Sequence, residues 1–582
     1  MNADTRWDET FDVVVLGAGA GGMTAALVSV LEGRRALLLE STQQVGGTTA
    51  RSSGTVWIPN NPHQRHLDSS DDAAAARSYL DALVSDRAEP SLRHAFVDAG
   101  SVMIEYLEAR ADVRFQAYPA SPDYRQELPG AAQGGRPLEP LPFDGRTLRE
   151  HFDRLASPLP ELMLFGGMMV TRGEAARLLR APTSLDGFLL GARLVTRYGA
   201  DRLRFKRGTR LVLGNALVGR LYRNLLDRRV PIWFGAQTLR LATADDGAVI
   251  GVIVQTPDGE RQVRALGGVI LAGGGFPASP AMRGQYLPNP VAEYSPAYEG
   301  CVGTTLALAE AVGAAMGPPG LDNAFWFPSS IAQRANGTTA VYPHIALDRS
   351  KPGLVAVNAM GRRFVDEASS YHEFTRAMYR SHATVPTIPA ILVCDRRFVW
   401  KYGLGVIRPR TPLLQSYVDR KYLYVADTLE GLARNVGVDP AGLAATVAES
   451  NVFARTGVDT AFGKGSNSYD RGNGDASHAP NPCLGPIDKP PYCAVKVVPT
   501  PLGTSLGVRT DAIGRALAKS GRPIPGLYVC GNDMQSIMGG EYPGPGAQIG
   551  IAMTFGYLAA RHATARDARI RDNPAAVAPS TL

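Results

Sequence analysis

Residues 11–16 read FDVVVL and run directly into Gly17-Ala18-Gly19-Ala20-Gly21-Gly22, after which the chain continues as MTAALVSVLEG. A short β-branched run of this kind suits a strand buried on both faces of a parallel sheet. The glycines that follow have the G-x-G-x-x-G spacing in its mechanistic setting, between a strand and a helix. Gly17 permits the tight turn, Gly19 lets the backbone approach a pyrophosphate, and Gly22 lets the helix pack on the strand, while the helix N-terminus adds a positive dipole end. A second apolar run, RRALLLE, ends in Glu40, 23 positions after Gly17. That matches the spacing of the acid that binds a ribose hydroxyl. These residues predict an α/β, Rossmann-like dinucleotide-binding domain.

The rest of the composition narrows the class. The chain has 582 residues, 45% hydrophobic and 20% charged, too long for one compact core and too apolar for a disordered chain. Cys301, Cys394, Cys483, Cys493 and Cys530 form no C-x-x-C pair, so neither a zinc site nor a disulfide framework is predicted, and no other metal site is expected. The opening MNADTRWDET lacks the basic and apolar regions of a signal sequence, and no apolar run is long enough to span a bilayer. A cytoplasmic setting is expected.

The formal charge of +7 permits several anionic partners. Its distribution decides among them. Between 151 and 210 there are 11 basic residues, Arg154, Arg172, Arg177, Arg180, Arg193, Arg197, Arg202, Arg204, Lys206, Arg207 and Arg210, against five acidic ones. They alternate with apolar clusters such as Leu162–Phe165 and Phe188–Leu190. A basic, apolar helical insertion of this kind predicts either peripheral contact with an anionic membrane or an excursion packed on the first domain. The remainder of the chain is near neutral, and no nucleic-acid partner is expected.

Gln44–Thr49 and Arg51–Gly54 form a small-residue loop in which Gly47, Thr48, Thr49, Ser53 and Gly54 are candidate contacts to a second phosphate or a flavin edge. Further strand-and-turn segments stand at Gly267–Phe276, with Ala272 and Gly273, and at Gly526–Asp533, with Gly531 and Asn532. Together these resemble the FAD-binding fold of the fumarate reductase and succinate dehydrogenase flavoproteins. That likeness implies a discontinuous FAD-binding domain of the glutathione-reductase type, with non-covalent FAD, into which an α+β, fumarate-reductase-like catalytic cap is inserted. The expected boundaries are 1–325 for the first FAD-binding part, 326–500 for the cap, 501–565 for the second part and 566–582 for a tail. The polar, glycine-rich 463–475 reads as a surface loop. No second G-x-G-x-x-G unit occurs, so an external electron acceptor other than a nicotinamide domain is expected.

Near the C-terminus, Met538–Glu541, then Tyr542-Pro543-Gly544-Pro545-Gly546, leads through Ile549 into a helical stretch. This segment, with Val357–Tyr371 and Asp123-Tyr124, resembles the 3-ketosteroid dehydrogenases. Desaturating a bond beside a ketone requires donors on the carbonyl oxygen, a base for the carbon acid and a hydride acceptor. The resemblance assigns the donor pair to Tyr542 O–H and Gly546 N–H, the C2 base to Tyr371, assistance to Tyr124, and the C1 hydride to flavin N5. A phenol ionises at pH 7.4 at a cost on the order of 3–4 kcal/mol, so a hydrogen bond from Tyr124 would matter. The chain departs from the family at 499–507, where Leu506 replaces a glycine, and at Gly303-Thr304-Thr305, which lacks an acid. The substrate implied is an uncharged 3-ketosteroid desaturated at C1–C2. The alternatives are a Δ4-(5α)-dehydrogenase and a fumarate-reductase-like or non-catalytic flavoprotein; Gly503 stands where fumarate reductases carry a histidine. The oligomeric state is left open.

Overall fold

The computed structural model of the protein describes residues 6–64, 67, 71–179, 184–345 and 348–572. FDVVVL forms the middle of an eight-stranded sheet. Strand Glu9–Leu16 lies parallel to Ala36–Glu40 on one side and to Gly259–Leu271 on the other, pairing Leu16 with both Leu39 and Leu271. Ile232–Phe234 and Pro523–Val529 extend the parallel array outward. Arg515–Leu517 closes one edge antiparallel, and Val249–Thr256 and Gln237–Thr243 meander off the first half of Gly259–Leu271.

Val13, Val14, Val15, Leu37 and Leu38 are fully buried, as a sheet covered on both faces requires. The covering helices include Ala20–Leu31 and Ala547–Asp572. The last runs past residue 565, so the expected tail begins inside a helix, and 573–582 lie outside the described residues. The parallel strands all end on one edge, which brings Gly17, Glu40, Ala272 and Cys530 together from distant parts of the sequence. Open α/β sheets bind ligands at such an edge.

A second, six-stranded antiparallel sheet is built between Ala324 and Thr504. Its order is Thr339–Pro343, Ala324–Gln333, Tyr492–Thr504, Ala390–Asp395, Leu354–Val357, with Tyr424–Ala426 also on Tyr492–Thr504. Helix Tyr371–His382 packs on Ala324–Gln333. Its start is set by Ser370, whose hydroxyl accepts the Glu373 N–H at 3.2 Å. This Ser-x-x-Glu capping pattern fixes Tyr371 at the first helical position.

Residues 151–210 include helices Arg172–Leu179 and Leu185–Arg202; Arg180 lies outside the described residues. Much of the basic charge is paired within or beside this segment: Arg177 with Asp186, Arg197 with Asp144, Lys206 with Asp153, Arg210 with Glu174. The predicted surface loop at 463–475 is corrected by the structure. Ser468–Asn473 is a short helix capped by Asn467, and Tyr469 is buried beneath it. A single large aromatic turned inward outweighs the polarity of its neighbours.

Candidate active site

A cavity of about 600 Å³ runs from the ends of the parallel strands to the second sheet. Along its nucleotide side it is lined by Gly17, Gly19, Glu40, Gly47, Thr48, Thr49, Ser53, Ala272, Gly273, Gly531, Asn532 and Ile549, and elsewhere by Tyr124, Tyr371, Tyr542 and Gly546. Two expected cofactor residues, Gly22 and Gly54, stand behind this wall. A Cβ on Gly22 would fall 1.9 Å from the carbonyl oxygen of Gly17, so its role is to let the helix close on the turn, and Gly54 backs onto Gly214.

The nucleotide side fits FAD on its own geometry. Helix Ala20–Leu31 starts at Gly19 with no side-chain cap, leaving its first N–H groups and dipole for an anion such as pyrophosphate. The Glu40 carboxylate accepts the Ala18 N–H at 2.9 Å and both the N–H and hydroxyl of Thr42, at 2.9 and 2.8 Å. Held so at the end of its strand, it lines the cavity where the sequence reading expects a ribose. Thr48 accepts the Tyr298 N–H at 3.1 Å and lies 3.5 Å from the Cys301 thiol, which burial pushes up to about 11.

Asp533 was not among the expected site residues. Its carboxylate accepts the N–H groups of Gly273 and Gly275 at 2.6 and 2.7 Å, bracing the turn after Gly259–Leu271. Burial raises its pKa.

The tyrosines come from four separate segments and meet in one cluster. Tyr124 donates to the phenol oxygen of Tyr371 at 2.8 Å. The Tyr542 ring centroid lies 5.5 Å from that of Tyr371 and 5.6 Å from that of Tyr124. Tyr469, absent from the sequence prediction, packs edge-on against Tyr124 at 5.0 Å, and Phe327 lies over Tyr371 at 4.0 Å. Burial pushes the phenols of Tyr124 and Tyr371 well above their ordinary value, raises that of Tyr542, and carries Tyr469 up to about 12. At rest the cluster is therefore uncharged.

Gln548 donates its amide to the Tyr542 hydroxyl at 3.1 Å, leaving the phenol O–H proton available to a ligand. Gly546 has φ +96°, and a Cβ there would lie 2.3 Å from the Thr55 carbonyl oxygen. Its N–H, at the entry to helix Ala547–Asp572, finds no acceptor among the described residues. The two donors expected on a ketone oxygen thus line the same cavity.

An ion-pair clamp holds the Tyr371 and Tyr542 segments together. Arg376, on the helix that Tyr371 begins, donates to Asp322 at 2.6 Å, to Glu541 at 2.9 Å and to the Gly540 carbonyl at 3.0 Å. Neighbouring His372 is wholly buried, and burial beside Arg376 depresses its pKa, so it is neutral. Leu506, the departure from the family glycine, is buried and does not line the cavity. Thr305, from the segment lacking an acid, does line it and hydrogen-bonds Asp533.

Comparison with known proteins gives the family. A family model described as FAD binding domain matches residues 12–549. The 3-oxosteroid 1-dehydrogenase of Mycobacterium tuberculosis (strain ATCC 25618 / H37Rv) is 37% identical over 95% of this chain and 98% of its own. The 4-oxocyclohex-2-ene-1-carboxylate 5-dehydrogenase of Sinomonas cyclohexanicum is 35% identical over 97% and 95%. The crystal structure of 3-ketosteroid Δ1-dehydrogenase from Sterolibacterium denitrificans, in complex with 1,4-androstadiene-3,17-dione, matches with a TM-score of 0.88 at 37% identity, covering 96% of this chain and 100% of that one. Alike over its whole length in sequence and in fold, this chain belongs to the FAD-binding-domain family of flavin-dependent oxidoreductases and, within it, to the 3-oxosteroid 1-dehydrogenase family.

Proposed function

We propose that this protein desaturates the C1–C2 bond of a 3-ketosteroid, with the ketone oxygen held by Tyr542 O–H and Gly546 N–H, the C2 proton removed by Tyr371, and Tyr124 sharing that proton. The carrying observation is that this donor pair and the Tyr124–Tyr371 hydrogen bond line the same cavity as the dinucleotide cradle. Bound FAD supplies the two-electron acceptor for the C1 hydride. Related dehydrogenases named for a steroid and for an oxocyclohexene carboxylate share a ring ketone, which supports desaturation of a CH–CH bond in such a ring.

The chain's own residues meet the demands of that chemistry. Two hydrogen bonds to the ketone oxygen stabilise the enolate formed as the C2 proton leaves. Tyr371 is buried under Phe327, which keeps water from the base. Tyr124 donates its O–H to the Tyr371 oxygen, which stabilises the phenolate that takes the C2 proton in a low-dielectric site. The same reading divides the chain into FAD-binding segments 1–325 and 501–565 around a cap at 326–500; the cap's sheet begins at Ala324 and ends at Thr504, and helix Ala547–Asp572 carries the second FAD-binding segment past 565. An external electron acceptor reoxidises the enzyme.

Residues 151–210 are read as a peripheral membrane contact. Helix Leu185–Arg202 turns Leu185 (74% exposed), Phe188 (61%), Leu189 (57%) and Val195 (47%) to solvent, and Leu203 (85%) follows. Arg193 and Arg204 are exposed beside them. Leu159 and Leu162 of the same insertion line the cavity, joining this face to the substrate site. Among the described residues no helix is long and apolar enough to cross a membrane.

The test is product identity. Incubation with androst-4-ene-3,17-dione and an artificial acceptor should give a product two mass units lighter with NMR signals of C1 and C2 olefinic protons; no conversion contradicts the reading. Desaturation of a 5α-androstane at C4–C5 instead would support the Δ4-(5α) alternative.

A further inference from the structure

Arg172 opens helix Arg172–Leu179 and lines the cavity that holds the tyrosine cluster. Its guanidinium donates to the Tyr118 hydroxyl at 3.2 Å and sits 5.6 Å from the centroid of that ring. Tyr124 and Tyr469 line the same cavity. Arg177, Arg197 and Arg210 of the same insertion each form an ion pair. Among the described residues Arg172 forms none. Glu139, on the same cavity wall, influences its charge from beyond ion-pair distance.

Arg172 is exposed and has one neutral protein partner, so most of its planar fork of N–H donors is open to a ligand, and that fork matches a carboxylate bidentately. The cavity therefore has uncharged donors at one place, Tyr542 and Gly546, and a cation at another. A substrate that uses both carries a ketone and, away from it, an anion.

Resting on the ketone-desaturation reading above, we propose that Arg172 binds a carboxylate at the end of the substrate remote from the ketone, and so selects oxo-acids over neutral ketones. The acid is carried either on the side chain of a 3-ketosteroid or directly on a single oxocyclohexane ring. The contact is made equally in the ground state and the transition state, so it acts on KM more than on kcat.

The experiment compares steady-state kinetics of the FAD-loaded enzyme on three pairs of matched substrates. These are a 3-oxo-4-ene steroid with a side-chain carboxylate against its methyl ester, 4-oxocyclohexanecarboxylate against its methyl ester, and androst-4-ene-3,17-dione with and without added acetate. One of the two acids should show a KM roughly 10–100-fold below that of its ester, the range of a lost charged hydrogen bond. Whichever acid does so identifies the carrier of the carboxylate. In Arg172→Gln the acid-over-ester ratio should collapse toward one, and Arg172→Lys should restore part of it. Flavin absorbance verifies that each variant is folded and loaded. Acids and esters with equal KM in the wild-type enzyme, or an Arg172→Gln variant that keeps the ratio, would overturn the proposal. Failure of every substrate to reduce the flavin would instead overturn the desaturation reading.

Discussion

The phenol oxygens of Tyr124 and Tyr371 lie 2.8 Å apart, although the residues are separated by 247 positions in sequence. Both are buried, and burial pushes both phenols well above the ordinary tyrosine value. The reactive form of the base is the deprotonated one, and its fraction falls tenfold for each pH unit below the raised pKa. The expected outcome is a kcat/KM that climbs with pH from 6 to beyond 9 without an early plateau, since kcat/KM reports the free enzyme's base. Stopped-flow flavin reduction across that range checks it; a plateau already reached below pH 8 would mean that some other group is the base.

Removing single hydroxyls should separate the roles. Tyr371→Phe should slow flavin reduction by about 10²–10⁴, the usual weight of a general base. Tyr542→Phe should slow it by about 10²–10³, as for a lost oxyanion donor. Tyr124→Phe should cost less than Tyr371→Phe, because it removes the partner and not the base. Single-turnover rates at saturating steroid measure all three.

Glu40 receives three hydrogen bonds from Ala18 and Thr42 that aim its carboxylate at the cavity. Glu40→Gln should weaken FAD binding about 10–100-fold by removing a charge-assisted contact. Equilibrium dialysis or flavin fluorescence gives the value, and an unchanged affinity would place the ribose elsewhere.

Arg376 joins the Tyr371 helix to Glu541, next to Tyr542. Arg376→Met leaves Asp322 as an unpaired buried carboxylate and Glu541 with only Arg87, 3.5 Å away, which should destabilise the protein by about 3–5 kcal/mol. Urea unfolding of the FAD-loaded enzyme measures this, and turnover should fall with it as Tyr542 loses its fixed place.

The membrane reading has its own check. Phe188→Glu combined with Leu189→Glu should abolish co-sedimentation with anionic liposomes while leaving turnover of detergent-dispersed steroid intact.

The dinucleotide half of the site was legible because strand, turn and helix are continuous in sequence: FDVVVL, Gly17–Gly22 and Glu40 each carry their own local constraint. Gly22 and Gly54 show the limit of that legibility, since glycine spacing does not distinguish a residue that touches a ligand from one that lets two backbones close. The tyrosine triad was read from its motif surroundings, and the structure adds that its members share one cavity. Tyr469 was hidden in a polar, glycine-rich run whose composition says surface, and only the packing of that run against Tyr124 turns it inward. Arg172 was one of many arginines in 151–210, and what distinguishes it, the lack of an ion pair together with a place on the cavity wall, exists only in three dimensions. Asp533 and Arg376 act on turns and loops far away in sequence, which no local pattern encodes.

The most direct test of the account is an anaerobic single turnover. The FAD-loaded enzyme mixed with one equivalent of androst-4-ene-3,17-dione should lose its yellow flavin absorbance in one phase and yield about one equivalent of the C1–C2 unsaturated product, with Tyr371→Phe greatly slowed. A flavin that stays oxidised through a panel of 3-ketosteroids and oxo-acids, in an enzyme shown to be folded and loaded, would contradict it.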